Sequence, residues 1–355
     1  MGANVMQRGA AGSRRWAVGA AALVVAVGAA TAARRAMAWH EKEHFAVTAG
    51  AASLLEKGEA PGFFRERGPA TAGHCSLDPD VFKNSATPTL HHAEFPEHFF
   101  DLEYLADEEL PRRRFEYLKL LHDKGLEPNR VGLLPYAIVE WTERLTMAFA
   151  EHRHWPEDEA IRAKCLVYAG HLAHYSGDLW QPLHTTIHYD GRVEKAGDGS
   201  PETGIHAKVD GLLRRIDLPA DWARGIETRV YEDVWEAVEA ELRSSHALVD
   251  RVYELESGLP ALSEKRTDDE GATALGVELL RESARFTASL YRTAWAKSAD
   301  VEFPGWFDRT KSGEVGERLG VVEGAGEAEA EGGGEAGGEA NGEDRVGGEP
   351  GGAGP

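Results

Sequence analysis

Along most of this chain, apolar positions return every three or four residues, the spacing of one face of an α-helix. The stretch from Phe45 to Leu55 has this spacing and stops at Gly58. Pro135 marks the start of a second helix, where its missing N–H costs nothing. Ile138, Trp141, Leu145 and Phe149 then follow at three- and four-residue steps. A third helix is predicted from Ala160 to about Leu179, halted near Pro182, and Leu275, Leu279, Phe286 and Leu290 mark a long late one. Alternating strand patterns are few, and there is neither a solenoid repeat nor a standard Gly-rich phosphate loop. The predicted fold is all-α, a single multi-helix domain that projects polar side chains inward.

The two ends break this pattern. Residues 1–38 hold five arginines and no acid; Ser13-Arg14-Arg15 precedes an apolar run from Trp16 to about Ala33, and Ala36-Met37-Ala38 closes it. That is the layout of an export signal of twin-arginine type, cut before Trp39, with a secreted or periplasmic product. An uncleaved anchor is the alternative, since about 18 apolar residues just span a bilayer. The segment 313–355 is rich in Gly, Glu and Ala, with 11 acids against Arg318 and Arg345. It is expected to be disordered, because it has too little apolar surface to offset its chain entropy. The domain itself is placed at 39–312. It keeps most of the net charge of −21, which argues against broad electrostatic capture of DNA or anionic membranes. Cys75 and Cys165 are either one disulfide or two buried free thiols.

Polar chemistry concentrates in His171-Leu-Ala-His174-Tyr-Ser-Gly177-Asp178-Leu-Trp180-Gln181-Pro182-Leu183-His184. Residues i and i+4 share a helix face, so His174 and Asp178 reach one region together. His206 and Asp210 repeat that spacing, and His184 approaches from beyond the helix stop. His with Asp suits zinc, a borderline ion that takes imidazole nitrogen and carboxylate oxygen. A single such pair is commonly just a hydrogen bond; two pairs with His184, His44 and a freed Trp39 terminus point to metal. His171, three residues before His174, competes with it in register. His91, His92, His152, His154 and His188 are assigned to the surface or to a supporting layer.

This constellation resembles the zinc-dependent phospholipase C and single-strand nuclease superfamily, over nearly all of residues 39–297. The carriers are Trp39 with His44, Pro79-Asp80, His98-Phe99-Phe100-Asp101, His174-x3-Asp178-x5-His184, and His206-x3-Asp210. The resemblance implies an all-α fold around three zinc ions. Asp80, His98 and His174 would hold the first; His184, His206 and Asp210 the second; His44 with the Trp39 amino and carbonyl groups the third. Asp178 would bridge the first and third. Asp78 is a rival to Asp80, which matches the motif better. Lys83 stands where nuclease relatives carry Arg and would help neutralise substrate charge, unless it is a solvent-facing lysine. Phe99 and Asp101 would meet substrate or, for Asp101, support His98.

The function so implied is an exported zinc-dependent hydrolase of phosphodiesters, phospholipase C-like, acting through a metal-activated hydroxide. A single-strand nuclease is the alternative, and a non-catalytic exported zinc-binding protein the second. Trp180, where nucleases usually have His, and the missing Gly-Gly-Asn segment depart from the nucleases. The 22-residue step from His184 to His206 and Asp at 210 lean toward them. Substrate is thus a phospholipid headgroup or single-stranded nucleic acid, and no stable protein partner is implied. One outcome is directly checkable: intact-mass analysis of the exported protein should give a chain beginning at Trp39, and an active protein still joined to Ala38 would remove the third site.

Overall fold

The computed structural model describes residues 41–105 and 108–307; the leader, Trp39 and the 313–355 tail lie outside the described residues. Contacts divide the chain at residue 302 into two compact units. Of the second, only 303–307 are described, a turn closed by Phe307 N–H to Pro304 O at 2.8 Å.

The first unit is helical, as the periodicity predicts. In chain order its helices are α1 (Glu41–Leu54), α2 (Gly62–Cys75), α3 (Asp78–Phe82), α4 (Pro88–Glu94), α5 (Arg114–Lys124), α6 (Pro128–Val131), α7 (Leu134–His154), α8 (Glu159–Leu179), α9 (Ile205–Asp210), α10 (Val234–His246), α11 (Val249–Glu254) and α12 (Glu270–Lys297). Short 3₁₀ turns at Phe95–His98, Leu102–Leu105 and Pro182–His184 join them. Among the described residues there is no sheet, and the extended pairings are isolated bridges such as Phe100 with Gly132. No helix there is long and apolar enough to cross a membrane.

The helix starts follow local chemistry. Pro135 sits in the first turn of α7. Asp158 caps α8 by accepting from the Ala160 and Ile161 amides at 2.9 and 3.1 Å, and Asp269 caps α12 through Ala272 at 2.8 Å. Each such cap is worth about 1 kcal/mol. The helix α2 escaped the periodic reading: its sequence GFFRERGPATAGHC has no apolar stripe and carries Pro69 in its interior.

α8 is the axis of the domain. It packs against α7, α2, α12 and α1, and its C-terminal half, Ala169 to Leu179, is buried on every side. One core lies around Phe64, Phe149 and Tyr291, whose rings meet edge to face at 5.4 and 5.2 Å. A second joins Val47, Leu183, Val209, Leu212, Leu275 and Leu279. Close packing needs small residues on α8. A Cβ on Gly170 would stand 2.6 Å from Cys75 Cβ and 2.7 Å from Ala72 O, both on α2. Cys75 therefore packs at the α2–α8 crossing; it and Cys165 are buried free thiols. Burial pushes the Cys165 thiol up to about 12.

The crossing yields a test. Gly170→Ala gains about 1 kcal/mol of helix propensity but forces two backbones apart, a cost of about 1–3 kcal/mol. Urea unfolding should show a net loss of stability; a gain would mean that the helices separate freely.

Candidate metal centre

Eight of the anticipated ligands converge from six segments: His44 (α1), Asp80 (α3), His98 (the Phe95–His98 turn), His174 and Asp178 (α8), His184 (the Pro182–His184 turn), and His206 and Asp210 (α9). They form three groups, each with ligand atoms within 4.8 Å of one another and able to hold a metal ion: His44, His174 and Asp178; Asp80, His98 and His174; His184, His206 and Asp210.

His174 is shared by the first two groups, and Asp178 lies beside a histidine of each of the three. Asp178 is fully buried. Its Oδ2 lies 3.0 Å from His98 Nδ1 and 3.2 Å from His174 Nε2, while Oδ1 lies 3.4 Å from both His44 Nε2 and His184 Nδ1. The i, i+4 spacing on α8 places His174 and Asp178 on one face. The turn that Pro182 enforces brings His184 back onto it. Downstream, His206 Nε2 is 3.3 Å from Asp210 Oδ2, and the His184 and His206 rings stack at 5.0 Å.

Second partners orient the rings. His174 Nδ1 donates to Ser76 O at 2.7 Å, leaving Nε2 to face the cluster. His184 Nδ1 donates to His98 O at 2.9 Å, and Phe100 N–H donates to His184 O at 2.8 Å, a reciprocal tie between the two turns. His206 Nδ1 donates to Tyr189 O at 3.1 Å, and its amide to Asp190 Oδ1 at 3.2 Å. Gln181 donates to Asp210 Oδ1 at 2.7 Å. The turn that carries His98 is held from below: Arg114 donates to Glu97 and, through Nε at 2.7 Å, to Glu140 on α7. Gly132, at φ +94°, lets the backbone pass where a Cβ would stand 1.9 Å from Phe99 O.

The electrostatics are those of a charge sink without its counter-charge. Burial drives the Asp178 carboxyl up to about 8 and Asp210 well above its usual range. Burial likewise drives His44 down to about 3 and His174 to about 4, with His98 and His184 well below the ordinary imidazole value. Asp80 differs. Burial would raise it, but His174 and Lys83 hold it at about 2. Asp178 Oδ1, His184 Nε2 and Asp210 Oδ2 are buried and make no hydrogen bond among the described residues. Buried polar atoms are normally satisfied, and divalent cations held by these groups would satisfy them. The donor set therefore fits a metal.

The neighbouring positions separate. Asp80, not Asp78, joins the cluster; Asp78 instead faces His171 Nε2 at 3.6 Å, which takes His171 out of the ligand set. Lys83 does not face solvent. Its side chain is 9 % exposed and its Nζ lies 2.6 Å from Asp80 Oδ1. Phe99 and Asp101 line a cavity of ≈ 30 Å³ with Phe95, His98, Leu183, His184, Tyr189 and His206. His152 packs under the Phe63 ring at 4.7 Å rather than lying at the surface. Sequence reasoning missed Glu97, Arg114, Gln181 and Asp190. Only Gln181, inside the quoted motif, carried a signal. No protein-family model, no curated protein and no solved structure matches this chain.

The shifted carboxyls set a sign for metal binding. With His44 and His174 already neutral at pH 7, the proton to be displaced sits on Asp178. Affinity for a divalent ion should keep rising from pH 6 to 8, by about tenfold per unit for each proton released. Calorimetry with zinc as the probe ion, in buffers of different ionisation enthalpy, counts those protons. An affinity that levels off above about pH 6.5, the ordinary histidine range, would mean that the imidazoles govern it.

Proposed function

We propose that this protein is an exported zinc-dependent hydrolase of phosphodiester bonds, of phospholipase C type. The observation that carries the reading is Asp178, one buried carboxylate with an oxygen turned to each of two groups of potential ligands, beside a third group made of His184, His206 and Asp210. In this reading Asp80, His98 and His174 hold one zinc, His184, His206 and Asp210 another, and His44 a third together with the Trp39 terminus. Bound zinc supplies an acidified water at neutral pH and positive charge toward the phosphoryl oxygens. The chain's own groups do the rest. Asp178 ties two sites to one rigid helix. Lys83, already drawn in beside Asp80, adds a cation at the same edge. Phe99, Asp101, Phe95 and Tyr189 line the approach to His184 and His206. That second group offers three protein donors, whereas structural zinc is usually closed by four. This favours catalysis over a purely structural centre.

A second reading, a single-strand nuclease, is favoured by one observation: the aromatic rings of Phe95, Phe99 and Tyr189 around that cavity suit a flat base. Both readings are tested together. Zinc-loaded protein beginning at Trp39 is offered phosphatidylcholine, single-stranded DNA and RNA, each with a chelated control. Chelator-sensitive release of phosphocholine is the expected result, and Asp178→Asn should lower it at least about a hundredfold. Cleavage of nucleic acid instead selects the nuclease. Full activity in Asp178→Asn would sink the shared-carboxylate mechanism.

A further inference from the structure

The segment that follows His184 is held by groups outside the ligand set. Glu103, in the Leu102–Leu105 turn, accepts from Thr186 Oγ1 and, at 3.0 Å, from the Ile187 amide. His246, the last residue of α10, donates from Nδ1 to Thr185 O at 2.9 Å, and its Nε2 lies 3.8 Å from Glu103 Oε1. The Leu102 amide donates to the same Thr185 carbonyl at 3.2 Å. Thr185 and Thr186 are completely buried. Two elements distant in sequence, the 102–105 turn and α10, thus grip three consecutive residues immediately after a ligand.

His184 needs such a grip more than its neighbours do. His174 and Asp178 ride on a 21-residue helix. His184 ends a 3₁₀ turn of three residues, too short for a hydrogen-bond ladder to fix its own direction. Beyond it the chain runs irregularly until α9 begins at Ile205. The ring of His184 is tied at Nδ1 to His98 O, and the backbone that carries it is fixed by where Thr185 to Ile187 are pinned.

We infer that Glu103 is a positioning residue for His184: its carboxylate, by taking the Thr186 hydroxyl on one oxygen and the Ile187 amide on the other, fixes the backbone from which His184 reaches its cation. The inference rests on the metal reading above, but it concerns one site of the three. A carboxylate suits the task because it offers two acceptor oxygens and no donor to two converging donors. Glu103 touches neither metal position nor cavity wall, so it acts only through the loop.

The test is a competition titration of the full exported chain with zinc against a chromophoric chelator, alongside the melting temperature of the metal-free protein. Glu103→Ala should weaken about tenfold the same single zinc equivalent that His184→Ala abolishes, the scale seen when supports of ligating histidines are removed. The other equivalents and the metal-free melting temperature should stay near wild type. Thr186→Val should shift the same equivalent in the same direction by less. Glu103→Gln, which keeps a carbonyl oxygen for the Ile187 amide, should recover part of the loss. Wild-type binding in Glu103→Ala overturns the inference, as does a loss of all equivalents together with a lowered metal-free melting temperature. Wild-type protein that takes up no zinc brings down the metal reading itself, and this inference with it.

Discussion

A carboxylate buried among four imidazoles is costly without a cation, because removing a charge from water is repaid only by close and well-aimed partners. Asp178 is such a group, and much of the domain can be traced to it. Its helix must be enclosed on all sides, so α8 alternates small residues with ligands and lies against four other helices. The enclosed helix cannot supply every donor, so turns must bring His98 and His184 to it. Those turns lack ladders of their own. They are braced by carboxylates and guanidinium groups such as Glu97, Arg114 and Glu140. The centre and the fold are in this sense linked: the packing makes a dry, rigid pocket whose buried polar atoms could hold a cation.

Much of the architecture was legible because it is local. The three- and four-residue spacings marked α1, α7, α8 and α12, and Pro135 and Pro182 punctuated them. α2 was not legible. Its buried face, Phe64, Gly68, Ala72 and Cys75, is made mostly of small residues that carry little apolar signal, and Pro69 reads as a breaker. Among the ligands, His174, Asp178, His206 and Asp210 could be read from i, i+4 spacing alone. Asp80 and His98 needed the resemblance, since nothing local distinguishes Asp80 from Asp78. Three-dimensional placement separates them: Asp78 turns to His171, and Asp80 turns inward beside Lys83. The braces were invisible for a simpler reason. Arg114 meets Glu140 across 26 residues, and His246 meets Thr185 across 61; no periodicity encodes such pairs. Trp39, on which the third proposed site depends, lies outside the described residues.

The cysteines show how one compositional fact supports opposite structures. Two in a chain whose sequence reads as exported invite a bridge, yet Cys75 fills the α2–α8 crossing against Gly170 while Cys165 sits one turn and more earlier on α8. Both behave as small apolar residues, and burial holds the Cys165 thiol far from its reactive form.

The order in which the ligand-bearing segments leave the ribosome adds a temporal constraint. α1, which carries His44, leans on α2 but also on α12, where a Cβ on Gly50 would stand 3.7 Å from Ala284 Cβ and Val47 joins Leu275 and Leu279 in one core. More than two hundred residues separate these partners in the chain. A nascent chain can therefore assemble α2, α7 and α8 early, but it cannot cover the second face of α1 until the last helix is made. The ends of the domain close on each other, so the polar centre is sealed only after α12 has been made.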